Sequence, residues 1–219
     1  MRFLKWFGKG SFSHGVHPPT NKEVTAQKRI RRLPFPDTLV IPLNQHIGKP
    51  SKLLVHKGQE VVRGEPIAAA DGFVSVPIHA PATGRIKDIR LMPTSRGEQS
   101  MSIVLEVYEG DTQAVLWNRD IDPDQLDGEQ IRQAIQDMGM VGLGGAAFPS
   151  HVKMTIPPDK TVETLVVNGC ECEPYLSCDH RTMIENPDAL MRGIGYVMRA
   201  TGVNNAVVGI EAVSYTHLT

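Results

Sequence analysis

Between residues 38 and 107 the chain is cut into seven short apolar segments: TLVIP, KLLVH, EVV, PIAA, FVSVPIH, GRIKDIR and MSIVLEV. Gly, Pro, Asn or Asp bound each of them, which is the pattern of short strands joined by tight turns and predicts a small barrel or sandwich. Gly58 and Gly64 mark two turns, Asp71-Gly72 a hairpin tip, and Gly84 a third turn. With 219 residues, 41% of them apolar, the chain is long enough to bury a core, which argues against disorder. No stretch approaches the roughly 18 apolar residues needed to cross a bilayer.

The stretch 53–89 resembles the barrel-sandwich fold of lipoyl and biotinyl carrier domains. A carrier needs an exposed Lys at the hairpin tip, and here the tip reads Ala70-Asp71-Gly72-Phe73. The resemblance therefore implies a scaffold with no swinging arm. His56 and His79 are read as packed or surface histidines.

Beyond the strands the pattern changes period. Ile131, Ala134, Ile135 and Met138 recur at helical spacing, Asp127 and Gln130 form a capping box, and Gly139 stops the helix. ETLVVNG reads as a buried strand, and NPDALMRGIGYVMRATG as a helix with Asn186 at its N-cap, Pro187 at its first position and Gly202 past its end. NAVVGI reads as a further strand. Strand, helix, strand is one half of an open α/β sheet, so the expected fold class is mixed β plus α/β: a barrel-sandwich β domain at 33–110 and a partial α/β domain at 111–212. After Ala212 the sequence continues neither pattern, and 213–219 is expected to be a foreign tail on a truncated chain.

The first 32 residues hold eight Lys or Arg against one Glu, a local +7 in a chain of net charge −1. Phe3, Leu4, Trp6 and Phe7 interleave with the first of these charges, without a signal-peptide pattern. A basic arm of this kind suits an interfacial anchor on anionic lipid or on a membrane partner, though a frayed terminus is the more ordinary reading. Three Cys, at 170, 172 and 178, argue against structural disulfides and for a reducing compartment. Their C-x-C-x5-C spacing is not that of a ferredoxin cluster, and no metal site is assigned to them.

Two segments carry the chemistry. MVGLGGAAFPSHVKM places Gly142, Gly144 and Gly145 ahead of Phe148-Pro149 and Lys153. Small residues let backbone N–H groups approach an anion, Pro149 suits the first turn of a helix, and Lys153 supplies a cation. Gly142, Gly144 and Ala147 also match G-x-G-x-x-A, but the dinucleotide fingerprint follows a strand and this loop follows a helix. The second segment, NGCECEP, ends a strand, with Asn168, Glu171 and Glu173 suited to ribityl, ribose or carboxamide groups. Together the two segments read as a nucleotide site.

GLGGAAFPSHVK is similar to the GxGGxGFPxGxK loop of the NADH- and flavin-binding subunit of respiratory complex I, and NGCECEP to that family's NADESEP. With SHGVHPPTNKEVT and the barrel preceding the loop, the chain more closely resembles the C subunits of Rnf-type ferredoxin:NAD oxidoreductases and of the related SoxR-reducing complex. The resemblance implies FMN, with Gly142, Gly144 and Gly145 over its phosphate and ring system and Lys153 on the phosphate. It implies Asn168 and Cys170 against the flavin, Phe148 stacked on the nicotinamide of NAD(H), Glu173 on the carboxamide and Glu211 near the NADH ribose. Departures from the complex I pattern are Cys170 for Asp, Cys172 for Ser, and Ile156 where an aromatic follows the loop Lys.

Members of the Rnf C family carry two [4Fe–4S] clusters in the parent protein, and no C-x2-C-x2-C-x3-C-P run occurs in this chain. The implied role is a peripheral subunit on the cytoplasmic face of the bacterial inner membrane, partnered by the other subunits of the complex. FMN does the redox chemistry, and no side chain is expected to act as a catalytic acid or base. A non-catalytic docking module with an incomplete flavin site is the alternative. Nucleic-acid binding is not expected, since the only basic cluster is the arm and no recognition motif accompanies it.

Overall fold

The computed structural model describes residues 19–95, 97–109, 113–115, 121–143 and 145–210. Seven strands appear where seven segments were expected: β1 (Thr38–Pro42), β2 (Lys52–Leu53), β3 (Glu60–Val61), β4 (Pro66–Ala69), β5 (Ile78–His79), β6 (Gly84–Pro93) and β7 (Gln99–Val107). They form two sheets of order β1-β7-β6-β3 and β2-β4-β5, and every strand pair within them is antiparallel. Ile67, Ile86, Ile103 and Leu105 are fully buried between them. On the outer face Arg85 and Glu106 stand directly opposite in register and pair at 2.8 Å, a cross-strand contact of the kind that pins β6 against β7. Two small antiparallel sheets share one core and helices follow in the C-terminal part, the expected mixed class.

Within the barrel, two details differ from the sequence reading. Gly84 does not make a turn; it opens β6, where a Cβ would lie 2.1 Å from the Glu106 carbonyl oxygen, so glycine is required for close approach of the two backbones. FVSVPIH keeps only its last two residues as strand. The stretch before them bonds instead to the 46–51 loop: Lys49 N–H donates to the Val74 carbonyl, Ser51 Oγ to the Val76 carbonyl at 2.8 Å, and Val76 N–H to His46 Nε2. The hairpin tip itself is turned by Gly72 at φ 95° and tied by Ser75 Oγ, which accepts from Asp71 N–H and donates to the Lys49 carbonyl.

α1 (Gly128–Asp137) has both hydrogen bonds of its capping box, at 2.8 and 2.9 Å, and buries Ile131 and Ile135. Gly139 ends it at φ 71°, and a Cβ there would meet the Pro77 carbonyl oxygen at 2.6 Å. α2 (Ser150–Met154), β8 (Thr164–Gly169), α3 (Cys178–Glu185), α4 (Pro187–Thr201) and β9 (Asn205–Ile210) follow. Pro187 opens α4 and Gly202 follows it at φ 73°, while Asn186 caps the end of α3 and abuts α4 directly. β8 and β9 pair as a two-stranded sheet. β8 is not the buried strand expected: exposed and half-buried residues alternate along it, and Val166 is 70% exposed.

The described residues fall into two compact units. One takes Arg32–Val167 with Ala189–Val207; the other takes Asn168–Asp188 with the described parts of 1–31 and 208–219. Among the described residues no helix is long and apolar enough to cross a membrane.

Candidate functional site

The glycine loop lies in the first unit and is closed at its base. Val141 and Pro149 form an antiparallel bridge, flanked by Gly142 N–H to the Phe148 carbonyl at 2.9 Å and Ser150 N–H to the Met140 carbonyl at 2.9 Å. Between these ties the backbone reverses through Gly145 at φ 105° and Ala147 at φ 48°. A Cβ on Gly142 would lie 2.4 Å from Lys153 Nζ, so the ammonium of this exposed side chain rests close against the loop backbone at Gly142. A cation beside a glycine-containing turn suits a phosphate.

Lys153 is carried by α2, and α2 is held to the barrel by His151. That imidazole is 3% exposed, its Nε2 lies 2.7 Å from the Phe73 carbonyl oxygen, and its ring meets Phe73 edge-on at 5.5 Å. A cleft of about 420 Å³ opens between Gly145 and Ala147 on one side and Asn44, Gln45 and Glu98 of the barrel on the other. Another cleft of about 480 Å³, between β4 and α1, contains none of the residues singled out from sequence as flavin or nucleotide contacts.

NGCECEP lies in the second unit, where it forms a tight turn between β8 and α3. Asn168 Oδ1 accepts from Cys170 N–H at 3.1 Å, and Tyr175 takes a left-handed conformation at φ 66°. Glu171 is 6% exposed and its carboxylate faces the start of α3, accepting from Asp179 N–H at 3.0 Å and His180 N–H at 3.1 Å. Cys178 Sγ donates to the same carboxylate at 3.0 Å. Glu171 therefore caps α3 from outside the local sequence, in place of Ser177, whose side chain makes no cap.

These contacts set the local charges. Burial works to raise the Glu171 pKa, but the hydrogen bonds from Asp179, Cys178 and His180 and the Lys22 charge outweigh it and hold the carboxyl below its usual range. The Glu171 hydrogen bond, followed by burial, pushes the Cys178 thiol up. Asp179 is raised by burial and by the charges of Glu171 and Glu173.

The three cysteines do not converge. Cys170, Cys172 and Cys178 are free and exposed, and the metal-capable group among the described residues is Glu171, Cys178 and Asp179, within 4.8 Å of one another. Of the other singled-out residues, Phe148 and Ile156 are half-buried, and Asn168, Cys170 and Glu173 are exposed. Gly144 and Glu211 lie outside the described residues. Sequence reasoning missed His151, which anchors α2, and Lys22, a buried cation among the eight of the basic arm. Nothing local distinguishes either from its surface equivalents.

Residues 10–110 match the RnfC barrel sandwich hybrid domain, and residues 135–218 match the Nuo51 FMN-binding domain. The C subunit of the Na(+)-translocating ferredoxin:NAD(+) oxidoreductase complex of Acetobacterium woodii is 38% identical over 210 residues, covering 92% of this chain and 46% of that relative. Its proton-translocating counterpart from Clostridium ljungdahlii is 41% identical over 207 residues, covering 92% of this chain and 44% of the relative. The C subunit of the ion-translocating oxidoreductase complex of Rhodobacter capsulatus is 36% identical over 204 residues, covering 92% and 39%. The chain thus spans less than half the length of these relatives. With a barrel-sandwich hybrid and an FMN-binding domain in tandem, matched over nearly its whole length by such proteins, the chain belongs to the RnfC family, the family of C subunits of ion-translocating oxidoreductase complexes.

Proposed function

We propose that this chain supplies the FMN-binding part of a peripheral subunit that exchanges electrons between NAD(H) and the other subunits of an ion-translocating ferredoxin:NAD oxidoreductase. The observation that carries the proposal is the Lys153 ammonium lying against the backbone at Gly142, beside a loop tied at its base by the Val141–Pro149 bridge. Gly142 N–H is engaged by the Phe148 carbonyl, so the group at hand for a phosphate monoester is the Lys153 ammonium. The match to an FMN-binding domain over 135–218 supports the same ligand.

In this reading Lys153 and the backbone of Gly142, Gly144 and Gly145 hold the phosphate, and Phe148 stacks on the nicotinamide. Asn168 and Cys170 contact the flavin, Glu173 the carboxamide and Glu211 the ribose. Glu171 serves by fixing α3 and the turn, since its carboxylate is engaged there. Bound FMN supplies the exchange of a two-electron hydride for single electrons. The [4Fe–4S] clusters that take those electrons onward belong to the parent protein, outside this chain. Residues 33–110 serve as the scaffold domain and 111–212 as the flavin domain, associated peripherally with the cytoplasmic face of the inner membrane through the other subunits.

Purified protein titrated with FMN tests the reading. Saturable quenching of flavin fluorescence at a 1:1 ratio is the expected result. Absence of saturable binding would remove the flavin role and leave the docking role.

A further inference from the structure

We infer that Lys22 is a positioning residue for the Cys170–Glu173 turn, and that residues 20–30 clamp this turn and α3 rather than lead loosely into the fold. The functional part of the inference rests on the flavin reading above.

Lys22 is 5% exposed, in a 3-10 turn whose main chain is tied by Thr25 N–H and Ala26 N–H to the Lys22 carbonyl. Its ammonium donates to the main-chain carbonyl of Glu171, 149 residues away in sequence. A buried ammonium is costly unless its protons are accepted, so burying one here commits it to the turn. Around this contact the same segment takes hold of the turn and of α3 at its middle and its last residue. Thr20 accepts from Tyr175 N–H at 2.8 Å, and Thr25 Oγ1 donates to the Tyr175 carbonyl at 2.8 Å. The left-handed residue that closes the turn is thus held on both its backbone groups. Further along, Arg181 Nη1 donates to the Ala26 carbonyl at 3.2 Å, and Ile30 N–H donates to Glu185 Oε1 at 3.1 Å.

Every one of these contacts lies within one compact unit. Glu171 sits at their centre: its carbonyl is held by Lys22 and its carboxylate by the first turn of α3. The clamp therefore fixes the main chain from which Cys170 and Glu173 project. A hydrophobic side chain of the same length at residue 22 would fill the space and leave the Glu171 carbonyl without its cation.

The test uses the full chain with Lys22→Met, Lys22→Arg and Thr25→Val. Backbone amide exchange at Asp179 and His180 is expected to accelerate about tenfold in Lys22→Met, with Ile86 and Leu105 in the barrel unchanged. FMN affinity is expected to weaken about tenfold, with a shifted visible band of the bound flavin. Lys22→Arg should restore most of both, and Thr25→Val should produce a smaller change in the same direction. Unchanged exchange at Asp179 and His180 in Lys22→Met would overturn the inference. So would wild-type FMN affinity and an unshifted band in a variant whose exchange has accelerated. If the wild type takes up no FMN, the flavin reading fails by itself, and the exchange rates still decide whether Lys22 holds the turn.

Discussion

Cys178 is exposed, yet its Sγ–H donates to the Glu171 carboxylate, which pushes the thiol pKa up. Since the thiolate is the nucleophile, accessibility alone overstates its reactivity. Glu171→Gln removes the charge that raises the thiol, so alkylation of Cys178 by iodoacetamide at about pH 8 should run several-fold faster. Mass spectrometry of the labelled peptide over time measures this, and an unchanged rate would show that Glu171 does not control the thiol. The same scale shows what composition hides. The approach of Lys153 to Gly142 was legible in sequence, because a loop of small residues followed by a cation is a local pattern. Lys22 was not, because a buried lysine and a solvated one are the same letter, and its contact to the Glu171 carbonyl, far off in sequence, is what separates them.

Helices α1 and α3 differ in where their ends are encoded. α1 carries its own cap, Asp127 with Gln130, and its own stop, Gly139, so its limits could be read from a dozen residues. Replacing Asp127 with Ala should lower stability by about 1 kcal/mol, measured as a shift in the urea midpoint, whereas no shift would mean that packing of Ile131 alone fixes the helix start. α3 went unread because its cap comes from Glu171, outside the positions where a cap signal is sought. That arrangement makes α3 sensitive to acid. The Glu171 pKa is lowered in the folded state, so its stabilisation is complete above its unfolded value and is lost as pH falls through the folded one. Asp179 is shifted upward and works in the opposite direction, gaining stability as it protonates. Protection of the Asp179 and His180 amides, corrected for intrinsic exchange, should therefore hold at neutral pH and fall below about pH 4. In Glu171→Gln it should be low at both. Protection that is independent of pH in the wild type would contradict the assigned cap.

Across the whole chain the barrel was the most legible part, since short strands with fixed turn residues leave few alternatives. Only its details escaped: Gly84 serves backbone approach, and the segment before β5 is diverted to the 46–51 loop by Ser51, Ser75 and His46, none of which marks itself in sequence. β8 was misread as buried because an apolar run looks the same whether one neighbouring strand or several cover it. The two segments read as a nucleotide site carry local motifs, while the contacts that hold them, His151 to the Phe73 carbonyl and Lys22 to the Glu171 carbonyl, are visible only in three dimensions. The central claim is that the closed glycine loop with Lys153 is the phosphate site of a flavin mononucleotide. It is tested most directly by titrating the wild type and Lys153→Ala with FMN and with riboflavin, which lacks the phosphate. One charge-assisted phosphate contact contributes about 1.5–3 kcal/mol, so FMN should bind the wild type about ten to a hundred times more tightly than riboflavin. Lys153→Ala should close most of that gap by weakening FMN alone. Equal affinities of the wild type for FMN and riboflavin, or equal loss of both in Lys153→Ala, would contradict it.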